Sequence, residues 1–147
     1  ENTVPLPADN PSAVLIKTLC ARFPGRYLMI DFWGMNCGPC RYAIQQSKKL
    51  RVEIGKRGDV KLVFIAEEHI AGGNDGYKKF VSEWLADEET ICMTKADFIR
   101  MQELFQFNGI PHYETIIPYG CHVCDDLRIN GYGDFDEELQ KLKEKLK

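Results

Sequence analysis

The sequence predicts an α/β domain whose sheet begins with a parallel β-α-β unit and ends with antiparallel strands. Three observations carry this expectation. Two apolar runs of strand length, Tyr27–Trp33 and Val60–Ala66, flank a helical stretch. Segments with apolar residues at helical spacing precede, separate and follow the strands. Late in the chain, Tyr113–Ile117 and Cys121–Ile129 read as two strands joined by a turn at Pro118-Tyr119-Gly120.

Residues 1–11 hold three prolines and little apolar matter, which reads as an arm or linker ahead of a domain spanning 12–147. Leu15, Ile16, Leu19, Cys20 and Phe23 mark a first helix, stopped by Pro24-Gly25. The run Tyr27–Trp33 is nearly unbroken in apolar character, as suits a strand covered on both faces. A helix follows from Cys37-Gly38-Pro39-Cys40 to about Gly55 or Gly58, and then the second strand. Beyond a glycine-rich stretch lies a helix around Tyr77–Leu85. Thr94 and Asp97 resemble a capping box, and they open a helix with Phe98, Met101, Leu104 and Phe105 on one face. Gly109-Ile110-Pro111 ends that pattern. After the hairpin, Asp134 and Glu137 cap a last helix, whose apolar stripe is Phe135, Leu139, Leu142 and Leu146. Lysines crowd its C-terminal end and complement the helix dipole.

A chain of 147 residues suits one domain with a sizeable core. Its net charge of −3 argues against nucleic acid as a partner. No apolar run approaches the length of a membrane helix. No signal peptide is visible, and a start at Glu1 is compatible with a mature or trimmed product. Six cysteines are too few for a disulfide scaffold of this length, so each must be judged by its setting.

The most informative setting is Phe32-Trp33-Gly34-Met35-Asn36-Cys37-Gly38-Pro39-Cys40-Arg41. A C-x-x-C can be a redox pair, half of a zinc site or a chance turn. Here it ends a strand and opens a helix, whose first N–H groups are unpaired and partly positive. A thiol held there is acidified. Cys37 is expected as the exposed attacking thiol and Cys40, one turn in, as the sheltered one that resolves a mixed disulfide. A zinc site needs more ligands, and Cys121 and Cys124 are the candidates. They lie about eighty residues away, against a usual spacing of roughly 15–20, and strand positions three apart face opposite ways.

Asp31 interrupts the apolar strand six residues before Cys37. A buried carboxylate has a raised pKa and can exchange a proton with Cys40. The plainer reading is an aspartate holding a turn at a strand end. Ile110-Pro111, after a glycine and before a strand, invites a cis peptide bond.

Asp31 and Trp33, the Cys37–Cys40 pair and Ile110-Pro111 together resemble the thioredoxin fold in order and spacing. The resemblance is strongest to the TlpA/ResA-type thiol-disulfide oxidoreductases of bacterial cell envelopes. It implies a thioredoxin-like domain: a central mixed β-sheet flanked by helices, with an N-terminal extension and a central insertion at 67–95. It also implies a nucleophile at Cys37, a resolving thiol at Cys40 and a proton acceptor at Asp31. Pro111 would be the cis-proline facing the disulfide, and Ile110 would offer its backbone to an extended client. Trp33 and Asn36 would border the same substrate surface. Asn36 departs from the tryptophan usual before the first cysteine, which opens the rim around Cys37. Glu67 or Glu68 matches a carboxylate lining the site in some relatives, or else forms a solvated acidic loop.

The expected function is reduction of protein disulfides, with protein thiols and disulfides as substrates. An upstream dithiol serves as reductant, and no cofactor is needed beyond the Cys37–Cys40 disulfide. The location implied is the bacterial cell envelope or periplasm. A non-catalytic binding or scaffold domain is the alternative. Cys20 reads as a buried inert thiol, and Cys92 has no assignable partner. Cys121 and Cys124 are open between structural thiols, a second disulfide and a metal pair. His112 reads as a strand histidine with a satisfied hydrogen bond, or one that tunes the site.

Overall fold

A single mixed sheet organises the chain. The computed structural model describes residues 3–68, 75–118, 120–123, 127 and 132–147. The elements run β1 (Thr3–Pro5), α1 (Pro11–Arg22), β2 (Tyr27–Trp33), α2 (Gly38–Gln46), α3 (Lys48–Gly55), β3 (Val60–Glu67), α4 (Asp75–Trp84), β4 (Glu89–Met93), α5 (Lys95–Phe105), β5 (His112–Ile116), β6 (Cys121–Val123) and α6 (Tyr132–Lys145). Among these residues the sheet has six strands in the order β1-β6-β5-β2-β3-β4. β2, β3 and β4 are parallel, while β5, β6 and β1 are antiparallel additions. The parallel start and antiparallel finish are those expected from the apolar runs.

Strand alternation divides the core into two layers. On one face, Met29, Trp33, Leu62 and Phe64 pack under Ile44, Ile54, Phe80 and Phe135 from α2, α3, α4 and α6. On the other, Leu28, Ile30, Phe32, Val63 and Ile65 pack under α1 and α5. Phe32 anchors this second layer. Its ring meets Phe98, Phe105 and Phe107 with centroids 4.8–6.0 Å away.

Local chemistry explains the helix ends. Asn10 caps α1, its side chain accepting from the Ser12 N–H at 2.8 Å, with Pro11 at the first helical position. Thr94 caps α5 by accepting from the Asp97 N–H, while the Asp97 carboxylate takes Arg100 at 2.8 Å. The stop at Pro24-Gly25 is a turn with Gly25 at φ +76°, in the left-handed region.

Several expectations need correction. The helix expected from Cys37 to Gly55 is two helices that meet at Ser47. The Ser47 hydroxyl donates to the Ile44 carbonyl and accepts from Arg51, and such local bonds compete with the helical ladder. The strand β4 escaped notice because it is a short edge strand without a continuous apolar run. Thr3–Pro5, in the expected arm, adds to β6 as an edge strand. The expected strand Cys121–Ile129 is described as β6 only over Cys121–Val123; most of the rest, Cys124 included, lies outside the described residues.

Candidate functional site

The site forms where β2 gives way to α2, at the carboxyl edge of the parallel strands. Gly34 and Cys37 make the turn, with the Cys37 N–H donating to the Gly34 carbonyl at 3.1 Å. Glycine at 34 lets Ile110 approach closely: a Cβ there would lie 3.2 Å from Ile110 Cδ1, tight enough that the methyl would have to shift. The approach lets the loop before β5 lie directly against the turn. Cys37 is the N-cap of α2, and Pro39 occupies its first turn.

Cys37 and Cys40 form a disulfide. Their exposures differ: Cys37 is half-buried, whereas Cys40 is 1% exposed in the core beside Met29 and Trp33. The Cys40 N–H points at Cys37 Sγ from 3.1 Å. In the reduced protein that donor favours a thiolate on Cys37. Ile110–Pro111 is cis, and the Ile110 carbonyl oxygen lies 3.7 Å from Cys37 Sγ.

Asp31 shares the sheet face of Met29 and Trp33, the face that packs on Cys40. The residue keeps partial exposure, but its Oδ1 is sealed from solvent and has no hydrogen-bond partner among the described residues. Burial pushes its carboxyl up to about 7, and the Arg51 charge pulls against that rise. Arg51 is itself buried, at 4% exposure. Its guanidinium donates to Glu88, to the Ile44 and Trp84 carbonyls and to Ser47, and lies over the Phe64 ring. Sequence reasoning missed this cation, because nothing local marks one exposed-type residue of a helix as buried.

Trp33 is a correction. It is 0% exposed, stacked on Tyr77 and packed on Phe80, so it lies beneath the site and has no exposed surface for the substrate contact expected of it. Asn36 is exposed on the rim. Glu67 and Glu68 line a cleft with Met35, Cys37 and Ile110.

Behind the Ile110–Pro111 loop lies a second missed group. Glu114, 4% exposed, places one carboxylate oxygen 2.5 Å from His112 Nε2 and the other 3.2 Å from His122 Nδ1. Phe107 stacks on His112 at 4.1 Å, so the two ends of the loop are bracketed by their rings. The Glu114 strand, His112-Tyr113-Glu114-Thr115-Ile116, is too polar for one glutamate to stand out as Asp31 does.

Among the described residues Cys20, Cys92 and Cys121 have no disulfide partner. Burial raises the pKa of Cys20 and of Cys92, the latter helped by the Glu68 charge, so both are weak nucleophiles. Cys124 lies outside the described residues, so the Cys121–Cys124 pairing is not described. Among the described residues no cluster of His, Cys, Asp and Glu is arranged to hold a metal ion.

The sheet order, the helices on both faces and the disulfide at a strand-to-helix turn define the thioredoxin fold. Solved structures agree. The chain superposes on the thioredoxin domain of a thiol-disulfide oxidoreductase from Bacteroides vulgatus with a TM-score of 0.64 and 23% identity, covering 83% of this chain and 82% of that one. A thiol-disulfide oxidoreductase from Bacteroides fragilis matches with a TM-score of 0.64 and 20% identity, over 82% and 84%. A secreted disulfide oxidoreductase of Mycobacterium tuberculosis matches with a TM-score of 0.56 and 14% identity, over 82% and 85%. No family model and no curated protein sequence matches the chain.

Proposed function

We propose that this protein is a thiol-disulfide oxidoreductase that reduces disulfides in client proteins. The observation that carries the reading is the asymmetry of the Cys37–Cys40 pair: one sulfur is reachable beside the Ile110 carbonyl, and the other is sealed above Asp31's face of the sheet. In the reduced protein the Cys37 thiolate attacks one sulfur of a client disulfide. A Cys37–client mixed disulfide forms, and the first client sulfur leaves as a thiolate that takes a proton from water. Cys40 gives its proton to the Asp31 carboxylate and attacks Cys37 Sγ. The Cys37–Cys40 disulfide closes, and the second client sulfur leaves and is protonated. Client disulfide is reduced and protein dithiol oxidised, so an upstream dithiol must restore the pair. No further cofactor enters these steps.

The client lies along Ile110, whose backbone suits one rung of β-type pairing and is indifferent to client sequence. A TlpA/ResA-type role in the bacterial cell envelope fits the secreted relative of the same fold. No helix among the described residues is long and apolar enough to cross a membrane. Equilibration of the pair with glutathione tests direction. A potential near −270 mV, roughly that of thioredoxin, is expected, and one near about −120 mV would overturn the reductase reading. A non-catalytic scaffold is excluded if Cys37→Ser abolishes disulfide reduction that the unaltered protein performs.

A further inference from the structure

The redox cleft is chemically lopsided. It measures about 300 Å³, and Cys37, whose sulfur a client must reach, forms part of its wall. Met35 and Ile110 supply an apolar wall, and Glu67 and Glu68 supply carboxylates. Neither lysine nor arginine lines it among the described residues. The backbone that carries the two carboxylates is held by the sheet. Glu67 ends β3, and the Glu68 N–H donates to the Met93 carbonyl at 2.7 Å, extending the β3–β4 pairing beyond the strand. The cleft therefore sits at the carboxyl edge of the parallel strands, with both glutamates and Cys37 in its wall.

We infer that the cleft selects clients whose reactive cysteine is flanked by lysine or arginine. Such a side chain matches both surfaces: its methylene stem packs on Met35 and Ile110, and its charged head meets Glu67 and Glu68. An acidic flank would bring like charges together in the same space, and such repulsion discriminates as effectively as attraction. A neutral rim residue at Asn36 adds no competing charge. The selection concerns which disulfide is presented to Cys37 and leaves the electron balance of the exchange unchanged. It rests on the oxidoreductase reading and deepens it.

Single-turnover mixing tests the inference. The pre-reduced full chain is mixed with peptide disulfides that differ only in the two residues flanking the attacked cysteine, lysine in one and glutamate in the other. Hydroxyethyl disulfide serves as an uncharged reference. The lysine peptide should react on the order of fivefold to tenfold faster at low salt, and the ratio should shrink towards one as salt screens the cleft. Combined Glu67→Gln and Glu68→Gln should bring the ratio towards one at low salt. Equal rates for the two peptides, or a ratio unmoved by salt and by the double substitution, would overturn the inference while leaving the oxidoreductase reading standing. Failure of every disulfide, the uncharged one included, to oxidise Cys37 and Cys40 would overturn both.

Discussion

The sulfur of Cys37 lies 3.7 Å from the carbonyl oxygen of Ile110, across 73 positions of sequence. In the proposed reaction that contact would align the attacking sulfur with the backbone offered to the client, while Cys40 stays at 1% exposure. Cys40→Ser should therefore trap a mixed disulfide on Cys37, seen by mass spectrometry after exposure to a peptide disulfide. Cys37→Ser should trap nothing. Efficient trapping on Cys40 in the Cys37→Ser protein would contradict the assignment of roles.

Asp31 sets the expected pH behaviour. Its carboxyl is raised from 3.8 to about 7 in the folded protein, chiefly by burial. The group favours folding fully below the unfolded value and loses that contribution as pH rises through about 7. Asp31→Asn should therefore gain stability relative to the unaltered protein between pH 4 and about 7, then level off. The difference is bounded by about 4 kcal/mol, following about 1.4 kcal/mol per pKa unit. Urea melts across this range provide the check. In the proposed mechanism resolution by Cys40 uses the Asp31 carboxylate as acceptor, so its rate should rise through about pH 7 and fall on the order of 10²-fold in Asp31→Asn.

Arg51 adjusts that midpoint. Its charge opposes the rise of the Asp31 pKa, so its removal should move the midpoint of the resolving rate upward. Arg51→Met should show that shift together with a stability loss of about 3–5 kcal/mol, because the partly buried Glu88 loses its partner. A stability loss with an unmoved midpoint would restrict Arg51 to a structural part.

Glu114 holds the loop from behind. Burial lowers the pKa of His122, so its ring is neutral at neutral pH where Nδ1 meets Glu114. Glu114→Ala should cost at least about 2 kcal/mol, since the contacts to His112 and His122 both disappear. Glu114→Gln should lose less, because the amide keeps the shape and part of the bonding. Thermal melts of both variants decide this, and equal stability of the two would count against the bridge.

Much of this architecture was legible in local sequence. Apolar runs mark strands wherever both faces are covered, as in Tyr27–Trp33 and Val60–Glu67. The C-x-x-C pair announces itself because its chemistry depends on a helix start, a local property. Asp31 was visible because a carboxylate is out of place in an apolar strand. Features that depend on contacts between distant segments were not legible. β4 is a strand only because β3 offers it an edge. Arg51 is buried only because Glu88 and two carbonyls converge on it. Trp33 had to be seen under Tyr77 and Phe80 before it could be removed from the client surface.

The sequence by itself determined the α/β order, the redox pair and the buried acid, because periodicity, helix-start chemistry and a misplaced charge all act within a few residues. Only the tertiary structure decided which groups meet the reactive sulfur. Ile110 meets Cys37 from the loop before β5, and Glu67 and Glu68 line the same cleft from the end of β3; spatial convergence of that kind leaves no periodic trace along the chain.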